Sequence, residues 1–226
     1  MRHALRAALV TALLVTGSGC SAYDRFTTSD FARQEPAQVV AAATAAMSDL
    51  TSLRATGQVL LEGRSVFVDL AMDARGRCSG TMRTAEGRIT LRRVGGTAWL
   101  TGDAGFFDRL GGSVALPAQS RSRLADGWVR ADAPRLLELC ALDGWVGTVS
   151  GGGDDLVLEE DDDLGNGVRS VHYSPEPGRT VWVLSEAPHH VVRVEDDARD
   201  GATLSFSDFD QPVHVQRPPA REVAVR

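Results

Sequence analysis

Between Val59 and Thr101 apolar residues fall on alternate positions, and glycine-bearing breaks interrupt the pattern every few residues. Val59 and Leu61 stand two apart, between the polar Gln58 and Glu62, before Gly63-Arg64. Val66, Val68, Leu70 and Met72 then share one face, with Asp69 and Asp73 on the other. Past Arg75-Gly76, Cys78 to Thr84 reads as a further short strand, and after Gly87 the apolar Ile89 and Leu91 oppose Arg88, Thr90 and Arg92. Gly95-Gly96 separates these from Thr97 to Thr101, which contains Trp99. A period of two gives each strand one apolar and one wet face. Breaks this short make successive strands antiparallel neighbours. A chain built around such a meander must bury one face of a sheet under other elements.

The flanking segments supply those elements. Pro36 suits the first turn of a helix, where its missing N–H would have no partner. Ala37 to Arg54 is Ala-rich, with Val39, Val40, Ala43, Met47, Leu50 and Leu53 at spacings of three and four, an amphipathic stripe. Asp103 to Leu110 and Pro117 to Asp126 read as short helical pieces, and Ala133 to Val146 as a longer helix with Asp132 as N-cap. Strands return at Leu156 to Glu159, Val168 to Ser174, Arg179 to Leu184, Val191 to Glu195 and Ala202 to Phe206, separated by Gly-, Pro- and Asp-rich turns. Pro212 to Pro218 reads as one further edge strand, ended by prolines. The order helix, meander, helices, meander predicts an α+β fold. Its form is a single twisted antiparallel sheet, a half-barrel, with helices packed on its concave side and the domain running over residues 36–220.

The N-terminus carries a different kind of signal. Arg2 and Arg6 precede an apolar stretch from Ala7 to Thr16, followed by Gly17-Ser18-Gly19-Cys20-Ser21. Basic residues, a short apolar core and then small residues make an export signal over residues 1–19, and an apolar core of about ten residues is half what a spanning helix needs. A cysteine directly after the small residues resembles the lipobox of bacterial lipoproteins, in which that cysteine becomes an acylated N-terminus. Two or three acyl chains on one residue hold a protein on a membrane where a single chain does not. Gly17 stands where lipoboxes usually carry leucine, and plain secretion with a free Cys20 is the alternative. Residues 20–35, polar apart from Tyr23, Phe26 and Phe31, read as a tether.

The chain has three cysteines. With Cys20 acylated, Cys78 and Cys140 remain as a pair in an oxidising compartment, where a disulfide is the default. A metal or redox centre at either needs a close partner of the C-x-x-C kind, and neither has one. Removing Arg2 and Arg6 with the signal takes the net charge from −6 to about −8. Such a chain has no attraction for nucleic acid or for anionic lipid surfaces, so membrane attachment rests on acyl chains at Cys20.

Enzyme signatures are absent. No G-x-S-x-G lies outside the signal, and there is no H-E-x-x-H, P-loop or dinucleotide fingerprint. His189-His190 follows Pro188 in a turn expected to be exposed, and His172 and His214 sit on strands without partners at ligand spacing. Asp154-Asp155 and Glu159 to Asp163 lack the alternating ligands and glycine of a calcium loop and read as a solvated rim. The expectation is a non-catalytic, monomeric protein without metal or cofactor.

The features stand in a recognisable order: an exported Cys20, an Ala-rich helix ending Leu53 to Gly57, a meander containing Cys78 to Thr81, and Arg92 to Leu100. A helix with Leu139-Cys140 follows, then Val171 to Ser174 and the ending Phe206 to Val213. This arrangement resembles the LppX/LprAFG family of actinobacterial lipoproteins and, distantly, the LolA/LolB carriers. The complete lack of lysine in a chain rich in Arg, Ala, Gly, Asp and Val suits a high-GC source of that kind. The resemblance implies a half-barrel whose concave face, covered by helices, holds acyl chains on the extracytoplasmic side of the plasma membrane. Val66, Val68, Leu70, Ile89 and Leu91 on the strands, opposite Met47, Leu50, Phe106 and Phe107, are the candidates for lining such a cavity. The same residues equally suit the filled core of any α+β domain. Two functions follow: a lipid-anchored carrier of a lipid or glycolipid, or a structural or interaction module of the cell envelope with a filled core.

Overall fold

In the computed structural model, which describes residues 29–110, 116–146, 156–161, 168–197 and 202–224, the alternating segment resolves into five strands. These are β1 (Ser52–Leu61), β2 (Arg64–Asp73), β3 (Cys78–Arg83), β4 (Arg88–Val94) and β5 (Thr97–Gly102). A short β6 (Val129–Ala131) follows, and the C-terminal half adds β7 (Glu159–Asp161), β8 (Ser170–Glu176), β9 (Arg179–Leu184), β10 (Val191–Asp196) and β11 (Ala202–Ser207). The helices are α1 (Pro36–Ser48), α2 (Ala118–Arg121), α3 (Pro134–Glu138) and α4 (Leu142–Val146), with 3₁₀ turns at Ala104–Phe107 and Ala220–Glu222.

The eleven strands among the described residues form one antiparallel sheet in the order β6-β5-β4-β3-β2-β1-β11-β10-β9-β8-β7. The chain walks from the centre out to one edge, crosses over through α3 and α4, and walks back from the other edge until β11 meets β1. The sheet is open, an α+β half-barrel with few helices. Chain chemistry sets its hairpins. Leu61 pairs with Arg64 across a two-residue turn in which Glu62 and Gly63 have φ of 51° and 70°, the type I′ pattern whose twist matches the flanking strands. At the seam of the two halves Gly57 pairs with Leu204, and a Cβ on Gly57 would lie 2.0 Å from the Thr203 carbonyl oxygen. Only glycine lets the backbones approach this closely.

One face of the sheet carries the core. Leu53 and Ala55 of β1, Val66, Val68, Leu70 and Met72 of β2, Ile89 and Leu91 of β4, and Val171, Tyr173, Val181 and Val183 of β8 and β9 are buried. Val39, Ala43 and Met47 of α1 join the same cluster, as do Leu124 and Phe106-Phe107 of the inter-meander segment.

Several boundaries differ from the sequence reading. The first helix stops at Ser48, and Leu53-Arg54 belong to β1, because Ser52 to Leu61 gains a partner on each side, β2 and β11. Tertiary pairing overrides the helical stripe there. The helix expected over Ala133 to Val146 is two short ones, and its N-cap is Ala133, which makes no side-chain cap. β6 was not expected. The first turn is Glu62-Gly63 rather than Gly63-Arg64.

The tail adds no edge strand. It crosses the outer, polar face of the sheet, with His214, Val215 and Gln216 beside Ser79, Thr90 and Arg92 around a space of about 410 Å³. It ends in a single parallel bridge, Val223 to Trp128, where the Trp128 N–H donates to the Glu222 carbonyl (2.8 Å). Its start is fixed by Asp210, whose carboxylate accepts hydrogen bonds from the Thr51 backbone N–H and hydroxyl, both at 2.8 Å. Those two bonds hold the Asp210 carboxyl below its ordinary pKa. Asp210→Asn, which keeps the Oδ1 acceptor and a side chain tolerant of the positive φ but removes the charge, is expected to cost about 1 kcal/mol in urea unfolding, the difference between a charged and a neutral acceptor.

Candidate functional site

The sequence between the two meanders builds a lid over the concave face. Pro134 starts α3, Leu136 is buried beneath it, and the chain turns at Cys140 into α4. Three contacts seat this pair on the sheet. Cys140 is disulfide-bonded to Cys78 at the start of β3, with Cα atoms 5.6 Å apart and both residues buried. The Arg93 guanidinium of β4 donates to the Leu137 carbonyl (3.2 Å). Trp145 packs edge-on against Phe206 of β11, centroids 5.9 Å apart, while its indole N–H donates to the Leu139 carbonyl (3.1 Å).

Between this lid and the sheet lies a cavity of about 520 Å³. Val59, Leu61, Val194 and Leu204 of the strands and Leu139 and Trp145 of the lid supply its apolar lining. Arg135, Glu138, Arg179, Asp196 and Glu62 supply the charge. The arginines are compensated: Arg179 pairs with Glu176 (2.8 Å) and Asp196 (3.3 Å), and Arg135 with Glu138 (3.2 Å). An apolar lining interrupted by charged groups, at a volume inside the usual range of about 300–1,000 Å³, is the form of a small-molecule site. Its chemistry suits burial of hydrocarbon beside charge-balanced polar groups.

The residues singled out in the sequence lie elsewhere on the same face. Val66, Val68, Leu70, Ile89, Leu91, Met47, Leu50, Phe106 and Phe107 are all buried together in the hydrophobic cluster, and none of them lines the 520 Å³ cavity. The cavity residues were visible in the sequence as strand and helix positions, but nothing in their spacing signalled that they converge. Cys20 and the export signal lie outside the described residues, as do Asp154, Asp155, Asp162 and Asp163 of the acidic run.

The histidines correct the sequence reading. His189 is stacked on Phe31, with ring centroids 3.7 Å apart and planes at 5°. His190 is buried against Phe209, centroids 4.2 Å apart, and burial lowers its pKa below that of an ordinary histidine. A turn expected to be wet is a docking point for both chain ends. His172 has an acidic neighbour after all, Glu159 across the β7–β8 pair at 3.3 Å. Sequence spacing hid the pair because the two residues are brought opposite each other only by strand register. The pKa of Tyr173, on the concave face, is pushed up to about 12 by burial, so the phenol stays neutral.

No protein-family model matches the chain, and no curated protein sequence matches it. Among solved structures, LprF from Mycobacterium bovis superposes with a TM-score of 0.54 at 14% identity, covering 80% of this chain and 95% of that one. An uncharacterized conserved protein from Thermus thermophilus gives a TM-score of 0.36 at 13% identity, over 85% of this chain and 100% of that one, a likeness too loose to argue from. At this identity the first match speaks for architecture alone: the chain has an LppX/LprF-like fold.

Proposed function

We propose that the chain is a lipid-anchored lipoprotein of the cell envelope, held on the extracytoplasmic face of the plasma membrane by acylated Cys20, that carries a lipid or glycolipid without acting on it chemically. The observation that carries this reading is the cavity of about 520 Å³ with its apolar lining from β1, β10, β11 and the α3–α4 lid. Each methylene moved from water into such a lining is worth about 0.8 kcal/mol. The paired charges in the lining suit a polar head such as a sugar better than a lone anion, because each arginine already faces a carboxylate. The LprF-like fold and the order of features that resembles actinobacterial lipoproteins support the same reading. No helix among the described residues is long and apolar enough to cross a membrane.

The test is organic extraction and native mass spectrometry of protein purified without detergent. Near-stoichiometric lipid is expected, and a ligand-free protein favours the second reading. That reading, a structural module with a filled core, draws on the close packing of Val68, Leu91 and their neighbours. Cys20→Ala is expected to move the protein from the membrane to the soluble fraction. Retention of that variant on membranes after a salt wash would overturn the anchor.

A further inference from the structure

The cavity and the docking point of Phe31 sit at opposite ends of the same strands. Every strand residue lining the cavity belongs to one end of its strand: Gln58 to Leu61 at the finish of β1, Arg179 at the start of β9, Val194 and Asp196 at the finish of β10, and Ala202 and Leu204 at the start of β11. The N-terminal segment docks at the other end. Phe31 is buried, its ring stacked on His189 in the turn from β9 to β10. The backbone just before it is held by a hydrogen bond from the Ala32 N–H to the Ser29 hydroxyl (3.1 Å). From there α1 leads to Thr51 and Ser52, which begin β1 at this same end beside Asp210.

We infer that the docked N-terminus turns the β9–β10 hairpin toward the membrane that holds Cys20 and points the cavity away from it. The inference rests on the anchor and cavity proposed above. Chain length favours this orientation over its reverse. From Cys20 to Ser29 is nine residues, which reach at most about 30 Å when fully extended. From His189 to Asp196 along β10 is about 23 Å. To bring the cavity end to the bilayer, the linking segment would have to run back along nearly the whole sheet, using most of its length. With the hairpin facing the bilayer, no such path is needed. A cavity presented this way exchanges its amphiphile with a partner or layer beyond the plasma membrane, and does not draw it directly from the bilayer to which the protein is attached.

The experiment uses the full lipidated chain in phosphatidylcholine vesicles, with a nitroxide on a single introduced cysteine. Cys78 and Cys140 are disulfide-bonded, and Cys20 carries the acyl chains, so neither interferes. Glu186→Cys labels the hairpin end and Arg64→Cys the cavity end, both at exposed positions. A headgroup-anchored nickel chelate is expected to relax the label at 186 several-fold more than the label at 64. Phe31→Ala, which undocks the segment and lengthens its reach, is expected to erase the difference. Equal relaxation at both sites in the lipidated protein, or greater relaxation at 64, would overturn the orientation alone. Protein recovered unacylated in the soluble fraction would overturn the anchor, and the orientation with it.

Discussion

Replacing both Cys78 and Cys140 with alanine is expected to lower stability by about 4 kcal/mol, the chain-entropy value for a closed loop of some sixty residues. The two cysteines are 62 positions apart and form a disulfide that ties the start of β3 to the turn between α3 and α4. The loop between them contains the rest of β3, β4, β5, α2, β6 and α3, so the unfolded chain gains a large conformational space when the bond is removed. Both residues are buried, so the alanine pair also leaves a small void on the core side. Urea unfolding of the double variant against the oxidised wild type reads the effect directly. A difference below about 1 kcal/mol would mean that the bond constrains little in the unfolded chain. Because the bond seats the α3–α4 lid, the same variant should also lose bound lipid, and that loss should exceed what its stability change explains at temperatures well below unfolding.

A second large effect separates filled core from empty cavity on one face of one sheet. Val68→Trp and Leu91→Trp place an indole where no surface is accessible, among Met82, Ile89 and Leu70 in the neighbouring strands. Overpacking of that kind costs typically about 1–3 kcal/mol, and more when the sheet cannot shift. Leu204→Trp adds similar bulk on β11, where the side chain faces a space of about 520 Å³. The indole fits into that space, so stability is expected to change little while the lipid that co-purifies disappears. Unfolding free energies and extracted lipid, measured on all three variants, check both halves. A large stability loss for Leu204→Trp would mean that the cavity closes in solution. Retained lipid in that variant would place the ligand elsewhere.

The sequence carried much of the architecture because period-two alternation and turn chemistry are local. Val66, Val68, Leu70 and Met72 on one face of β2 could be assigned without knowing their neighbours, and the short breaks before and after them left only an antiparallel meander. The disulfide followed from cysteine number and compartment, since two of three thiols had no other evident use. Gly57 shows where local reading ends. Its role is defined by Thr203, about two-thirds of the chain away, and no pattern around residue 57 announces that approach.

What only the tertiary structure decided is which apolar positions are filled and which face space. Val68 and Val59 look alike in sequence, each two positions from another apolar residue on its strand, Val66 and Leu61 respectively. One is fully buried between its flanking strands, whereas the other lies near a strand end under the α3–α4 lid, among the residues that line the cavity with Leu204 and Trp145. The same holds for His189, a turn residue whose stacking partner, Phe31, lies before the first helix. Alternation determines which way a side chain points, because backbone geometry fixes it within a few residues. Whether anything meets it there depends on how elements far apart in the chain converge, and that depends on the packing of the whole sheet.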